Sequence, residues 1–433
     1  MSTVSFLPLL ITAAGVYFLF KLKFFFILHP KRVLSKFREV IREPSSFSAL
    51  SLALAGTLGV GNIIGVAVGI SVGGAGSLFW IFVSALFSSV IKYAESTLSA
   101  DMKSDTGGGM MFVIRKSFKG LGKPMSCLYA LLCLLLSFTM GSALQTNSAS
   151  ASFESKEGSV IYVFAIFFCV LLSVFILLGT EKIKKLTSIL IPCATVLYVL
   201  LCLILIAVNI RRMPGVILKA LREAFNFKSS VGGIFGFLFS LNIKEGFARG
   251  LLSNEAGAGT SAMAQSESRQ NEPSAAGLLG MSEVFFDTTL LCTLTGLALL
   301  MSVPDISELS GISLILSAVR SVFSGFGGFF IGALISVFAF STVVCWYFYG
   351  KTASEYIFGK SSGLPFAVLF LISAFTGFFI SSKMLIEISD YILFFMTVLT
   401  LLTLIKNSER LVALSEKYGL LKKSDMGKGS KSE

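Results

Sequence analysis

The chain has 433 residues, of which 54% are hydrophobic and 14% charged, and a mean hydropathy of +0.83. A soluble globular protein carries about 25% charged residues, so the composition excludes a soluble enzyme, a disordered chain and a secreted disulfide scaffold. The formal charge of +12 would suggest nucleic acid in a soluble protein, but in a membrane protein it reflects basic residues gathered in cytoplasmic loops. We therefore expect one polytopic membrane domain and no nucleic acid partner.

Histidine and cysteine give no catalytic pattern. His29 is the only histidine, which excludes a His-based triad, an HExxH zinc site and a histidine proton relay. The seven cysteines lie in or beside apolar stretches without metal-ligand spacing, as small core residues do. We predict that the protein is not an enzyme and carries no cofactor.

Eleven apolar segments qualify as membrane-spanning helices, which need about 20 predominantly apolar residues. No basic region or cleavage site precedes Lys21, so we expect the first segment to be an uncleaved helix. Residues 214–226 are amphipathic and too short to span, and residues 407–433 are expected to form a flexible, basic cytoplasmic tail. The eleven segments are 5–28, 48–72, 76–98, 125–150, 160–179, 187–209, 233–264, 275–302, 325–350, 364–382 and 386–406.

Lysine and arginine are distributed unequally between the two sets of connecting segments. One set holds 25 of the 36 basic residues and the other holds 8, with three more inside the spans. Because cytoplasmic loops carry the excess of positive charge, we predict a bacterial-type cytoplasmic membrane protein with its N-terminus outside and its C-terminus inside. The basic segment 211–228 is the exception.

Glycine and polar residues interrupt two of the spans. Residues 56–76 contain eight glycines, each of which weakens a helix by about 1 kcal/mol relative to alanine. In the seventh span, 248–264 (ARGLLSNEAGAGTSAMA) places Arg249 and Glu255 at membrane depth, where such groups normally face a cavity. We predict unwound backbone at both places, with Ser253 or Asn254 capping a half-helix that has Glu255 in its first turn. The alternatives are close helix packing for the glycines and a cytoplasmic loop for 248–264.

The two interruptions occupy corresponding positions in two halves of the chain. Spans two to six and seven to eleven each comprise five helices and open with a broken one, and the halves run in opposite directions. This arrangement indicates the midplane site of a secondary transporter, suited to a zwitterionic amino acid and a cation. The predicted organisation is an N-terminal helix and basic loop, a first repeat, an extracellular amphipathic segment, a second repeat and a basic tail: 1–46, 47–210, 211–232, 233–406 and 407–433.

Several motifs, in order over roughly 47–350, carry a family resemblance. They are GVGNIIGVA (59–67), GGAGSLFW (73–80), KYAESTL (92–98), GSALQTNS (141–148), the 248–264 block, FFDTTLLCTLTGLALL (285–300) and FAFSTVVCWYFYG (338–350). These residues strongly resemble the alanine or glycine:cation symporter family. The resemblance implies an all-α fold of the leucine-transporter type, here eleven helices with an inverted five-helix repeat preceded by one extra N-terminal helix. It also implies sodium as the coupling ion and alanine or glycine as substrate.

The predicted substrate site uses both interruptions. The amides of Val60, Gly61 and Asn62 open a half-helix and are expected to bind the carboxylate. The family usually has Thr at Val60 and reads GLGSAPIA where this chain reads GAGTSAMA (257–264), but backbone donors are unaffected by these changes. A pocket with room for little more than a methyl group is predicted between Gln145, Trp346 and the turn at Ser253–Asn254. The alternatives are an interhelical hydrogen bond for Gln145 and plain packing for Trp346.

The predicted cation sites follow from the resemblance to the leucine-transporter fold. It assigns the carbonyls of Ala55 and Leu58 and the hydroxyls of Ser341 and Thr342 to one sodium ion. The Thr57 carbonyl and the Asn62 side chain are assigned to a second. The alternative for the two hydroxyls is bonding back to their own helix. Proton coupling is the rival, but relatives that use it commonly place a lysine in the fold's fifth helix, and the sixth span here carries no charge.

Glu283 and Asp287 share one helical face, and either line the path or leave Asp287 paired with Lys244 or Arg249. The resulting hypothesis is a sodium-coupled symporter that imports small neutral amino acids by alternating access. The alternative is a transporter-like sensor that binds an amino acid without moving it.

Overall fold

The computed structural model describes residues 7–104, 107–152, 158–225, 241–306, 308–309 and 311–421. Within these residues the chain is all-helical, and its only β pairing is an isolated bridge between Ser104 and Gly107. The helices are α1 (Leu7–Lys21), α2 (Phe25–Leu28), α3 (Pro30–Ile41), α4 (Pro44–Thr57), α5 (Gly61–Gly73), α6 (Gly76–Asp101), α7 (Met110–Ser117), α8 (Gly122–Ala151), α9 (Gly158–Leu178), α10 (Thr180–Val208), α11 (Met213–Ala224), α12 (Leu241–Asn254), α13 (Ala262–Gln265), α14 (Pro273–Ser302), α15 (Ile312–Phe358), α16 (Gly363–Gly377), α17 (Ser382–Lys406) and α18 (Ser408–Lys417).

The all-helical, multi-pass class predicted from the sequence is confirmed, whereas the count of eleven spans remains a prediction. Among the described residues, eight helices are long and apolar enough to cross a membrane, or nine if α4 and α5 form one span bent by 53°. The predicted first span, 5–28, contains a helix of only 15 residues that ends at Lys21. Lys23 and Phe24 have φ of 53° and 50°, a left-handed backbone that cannot continue an α-helix. The predicted seventh span begins in 226–240, outside the described residues.

The C-terminal segment differs from the expected flexible tail over residues 408–417. Ser408–Lys417 forms α18, which buries Leu411 and pairs Lys417 with Glu272 at 3.2 Å. The apolar residues of this short segment fall on one helical face, which the sequence analysis overlooked because the segment is polar overall. The rest of the predicted tail, 422–433, lies outside the described residues.

Helix α6 packs against α12 and α14 through glycines that admit no side chain. A Cβ on Gly246 of α12 would lie 2.7 Å from the Ser77 carbonyl oxygen. A Cβ on Gly280 of α14 would lie 2.8 Å from the Lys92 carbonyl oxygen. Small residues let helix backbones approach this closely inside a membrane. Helix α6 therefore contacts α12 and α14 almost backbone to backbone at these glycines.

Helix α15 is a 47-residue element with one kink. Ser324 has φ 50° and ψ −141°, which separates a short outer piece, 312–323, from the long piece that follows. The long piece contains Ser341, Thr342 and Trp346, all buried. One element thus connects Ile312 with three of the residues predicted to form the site.

The glycine contact between α6 and α12 gives a stability prediction. Gly246→Ala places a methyl group against the α6 backbone and is expected to destabilise the protein by about 1–3 kcal/mol, seen as a lower midpoint of thermal unfolding in detergent. The matched control is Gly215→Ala in α11, where the new Cβ meets nothing within 4 Å and helix propensity favours alanine. Equal midpoints for the two variants would contradict the packing described here.

Candidate functional site

A cavity of about 370 Å³ lies where the helix breaks meet. Five residues predicted from the sequence line it: Thr57, Val60, Gly61, Gln145 and Ser253. Its other lining residues include Met140 and Leu144 of α8, Arg249 and Glu255 near the second break, and Ile312, Ile386 and Asp390. Ala55, Leu58, Asn62, Asn254, Ser341, Thr342 and Trp346 are buried next to the cavity without lining it.

The first break separates α4 from α5 at Leu58–Val60. The Leu58 amide donates to the Leu54 carbonyl at 2.6 Å, and the Gly59 amide turns back to the Thr57 carbonyl at 2.8 Å. In a continuous helix the Gly59 amide would instead donate to the Ala55 carbonyl. The break therefore frees a carbonyl at the end of α4, while the first amides of α5 lack partners inside their own helix.

Asn62 joins the two broken helices. Its Oδ1 accepts a hydrogen bond from the Gly59 amide at 3.2 Å, and its Nδ2 donates to Ser253 Oγ at 2.8 Å. Nδ2 also contacts Asp287 Oδ1, and Ser253 Oγ donates to Asp287 Oδ2 at 2.7 Å. Thr288 Oγ1 donates to the same Oδ2 at 2.8 Å. Asp287 thus lies at the crossing of both breaks.

Asp287 does not form the ion pair that the sequence analysis considered. Arg249 instead pairs with Glu245, one turn earlier on α12, at 3.1 Å. Asp287 receives its hydrogen bonds from neutral side chains, and it is fully buried. Glu283, one turn before it on α14, pairs with Lys92 of α6 at 3.2 Å, and both side chains are completely buried.

The second break follows α12 and is a left-handed turn. Glu255, Gly257 and Gly259 have φ of 53°, 91° and 73°. Asn254 Nδ2 donates to the Gly250 carbonyl at 2.7 Å, and its Oδ1 accepts from the Ala256 amide at 3.0 Å. The expectation that Glu255 lies in the first turn of the next half-helix is therefore wrong. Three left-handed residues delay the helix, which restarts at Ala262.

Side chains of α6 and α8 form hydrogen bonds with this left-handed turn and the residues that follow it. Glu95 Oε1 accepts from the Gly257 amide at 2.7 Å, and Lys92 Nζ donates to Ser261 Oγ at 2.6 Å. Tyr129 OH donates to the Ala258 carbonyl at 2.6 Å. The sequence analysis placed no function on these three residues. Lys92 and Glu95, three apart inside an apolar span, carried a usable signal, because charged residues in a span are expensive unless they have partners.

Ser341 and Thr342 both bond back to their own helix, as the alternative interpretation allowed. Their hydroxyls donate to the Phe338 carbonyl at 2.8 and 2.9 Å. Each oxygen keeps lone pairs for a further contact. Thr342 Oγ1 also lies against the first break, since a Cβ on Gly59 would be 2.8 Å from it.

Gln145 of α8 and Trp346 of α15 both contact the π-helical turn Thr139–Ala143 of α8. Gln145 Nε2 donates to the Met140 carbonyl at 3.2 Å, whereas its buried Oε1 receives no hydrogen bond. Trp346 packs on Gly141, whose Cβ would lie 2.4 Å from the indole, and contacts Tyr349 edge to face. Trp346 therefore supports the turn that carries Gln145 rather than forming the cavity wall.

This chain is similar in sequence to known proteins over most of its length. The sodium:alanine symporter family matches residues 1–432. The sodium/alanine symporter AgcS of Methanococcus maripaludis is 31% identical over 88% of this chain and 85% of its own length. The sodium/proton-dependent alanine carrier protein of Bacillus sp. PS3 is 31% identical over 77% and 78%, and the probable sodium/glutamine symporter GlnT of Bacillus subtilis is 30% identical over 83% and 76%.

Among solved structures, the Eremococcus coleocola manganese transporter, crystallised with an aromatic bis-isothiourea compound, matches 86% of this chain and 77% of its own. Its TM-score is 0.44 and its identity 15%. The sequence match covers the motifs of both breaks and nearly the whole chain. The chain therefore belongs to the sodium:alanine symporter family.

Proposed function

We propose that the protein imports small neutral amino acids, alanine and glycine, together with sodium by alternating access. The observation that carries this proposal is the cavity between two helix breaks in a chain of this family. The names of its relatives support alanine and sodium. We also propose the eleven-helix topology with an inverted repeat and the N-terminus outside.

The first amides of α5 are the proposed carboxylate site. Val60 and Gly61 line the cavity, and a helix N-terminus combines unpaired N–H groups with a positive dipole end. A Cβ on Gly61 would meet only Ser253 Cα, at 3.7 Å, which is ordinary contact. The chain thus has room for a methyl group at the place where we expect the carboxylate to bind.

Gly61→Ala is expected to raise the alanine concentration for half-maximal uptake at least about tenfold, a loss of about 1.4 kcal/mol, while the unfolding midpoint stays unchanged. The added methyl group blocks approach to the amides without disturbing packing. Gly65→Ala is the matched control, because Gly65 also lines the cavity and its Cβ would meet nothing within 4 Å. Equal alanine affinity in the two variants would exclude the first amides of α5 as the binding site of the substrate carboxylate.

The first proposed sodium site lies between the end of α4 and α15. Its ligands are the carbonyls of Ala55 and Leu58 with the hydroxyls of Ser341 and Thr342. Support comes from the Gly59 amide, which leaves the Ala55 carbonyl to other partners, and from the contact of Thr342 with Gly59. Oxygen ligands at a broken helix suit a sodium ion.

The double variant Ser341→Ala, Thr342→Ala should raise the sodium concentration for half-maximal uptake steeply and leave the pH dependence of uptake little changed. Sodium-driven alanine uptake into proteoliposomes, measured across a sodium titration, provides the test. Ser336→Ala is the control, because Ser336 bonds back to Gly332 in the same helix at 2.8 Å away from the break. An unaltered sodium response would exclude the two hydroxyls from the site.

The second proposed sodium site uses the Thr57 carbonyl and the Asn62 side chain. Asp287 adds a carboxylate to this position, because it contacts Asn62 and Ser253 within the buried crossing of the breaks. A carboxylate that has only neutral hydrogen-bond partners is well suited to a cation.

The same proteoliposomes also test the sensor alternative, which requires alanine binding without sodium-driven accumulation.

A further inference from the structure

Glu255 lines the cavity and has a backbone conformation that residues other than glycine rarely adopt. Its φ of 53° is left-handed, as are those of Gly257 and Gly259 in the same turn. Such a conformation is unfavourable for a non-glycine residue and persists where its surroundings dictate it, commonly at functional sites. The surroundings of Glu255 therefore hold it in this conformation.

The Glu255 carboxylate is only partly satisfied by the protein. Thr260 Oγ1 donates to its Oε2 at 2.6 Å, and among the described residues no other donor bonds to it. The side chain lines the cavity although it is only 2% exposed. One carboxylate oxygen is therefore available to a ligand in the cavity.

Nearby cations are already paired with other carboxylates. Lys92 is bound to Glu283 and Ser261, and Arg249 is bound to Glu245. No described lysine or arginine forms an ion pair with Glu255. Lys92 attracts Glu255 only through space, because its ammonium group is bound to Glu283 and Ser261. Since a buried carboxylate without an ion-pair partner is unfavourable, the cavity favours a ligand that brings a positive charge to this position.

A second acceptor faces the same cavity. Gln145 lines it, and its Oε1 is buried and receives no hydrogen bond. The two breaks also touch, because a Cβ on Gly61 would lie 3.7 Å from Ser253 Cα. A donor-rich cationic group bound at Glu255 therefore lies close to the first amides of α5.

We propose that Glu255 is the counter-ion of the substrate's ammonium group, with Gln145 Oε1 as a second acceptor. This inference rests on the proposed function and deepens it. The zwitterion then bridges the two breaks, its carboxylate on α5 and its ammonium on the left-handed turn. The substrate class is narrowed to amino acids with a free, protonated α-amino group, and 2-hydroxy acids of the same size are rejected.

The test compares alanine with lactate, which carries a hydroxyl group in place of the ammonium, as competitors for labelled alanine on purified protein at saturating sodium. Wild type should prefer alanine at least about tenfold. Glu255→Gln should weaken alanine binding about 10- to 150-fold, the effect of losing one charged hydrogen bond, and leave lactate within about threefold. Glu255→Asp keeps the charge and should retain part of the preference. Asp390→Asn, which removes another cavity carboxylate, should retain all of it.

Each other result counts against the inference. Unchanged alanine affinity in Glu255→Gln, or an equal loss for alanine and lactate, overturns it, because a purely structural role weakens both ligands. A raised sodium requirement with an unchanged preference assigns Glu255 to a metal cation and also overturns it. Equal affinities in wild type overturn it even if the variants fail to fold. Absence of alanine binding by wild type overturns the proposed function itself.

Discussion

A broken helix inside a membrane exposes amides and carbonyls that lipid cannot satisfy, so the protein itself must supply their hydrogen-bond partners. At the first break, Asn62 accepts a hydrogen bond from the Gly59 amide. At the second break, Asn254 and Glu95 accept hydrogen bonds from backbone amides. The Tyr129 hydroxyl donates a hydrogen bond to the Ala258 carbonyl. The groups left over face the cavity or border it: the first amides of α5, the end of α4, Glu255 and the amide oxygen of Gln145. The candidate site is formed by the polar groups that have no hydrogen bond to these supporting side chains.

The cost of this arrangement is a set of buried ionisable residues behind the turn. Lys92 and Glu283 form a fully buried pair, and Glu283 also accepts from Gln265 at 3.1 Å. Removing one partner of such a pair strands a charge, which is far more destabilising than replacing both. The pair thus contributes more to the placement of Ser261 and the second break than to net stability.

Much of the fold could be predicted from the sequence, because apolar segments and glycine clusters have direct physical meanings in a bilayer. The bend between α4 and α5 falls at Leu58–Val60, inside the glycine-rich stretch, and the second break falls within 248–264. Side-chain directions were harder to predict. Asn62 and Asn254 turn inward to satisfy backbone groups, and Trp346 packs on Gly141, since periodicity indicates the face of a regular helix but not of a broken one. Glu95 meets Gly257 across 162 positions of sequence, a contact that no local pattern contains.

The glycine contacts of α6 limit how far α12 and α14 can slide along it. Where helices are separated by long side chains, rotamer changes let one helix slide past the other; here Gly246 and Gly280 bring α12 and α14 directly against the α6 backbone at two points. Sliding would need the helices to separate first. Sliding of α12 and α14 along α6 is therefore restricted at these two positions. In the proposed alternating access, the two glycine contacts are expected to stay closed while other helix contacts rearrange.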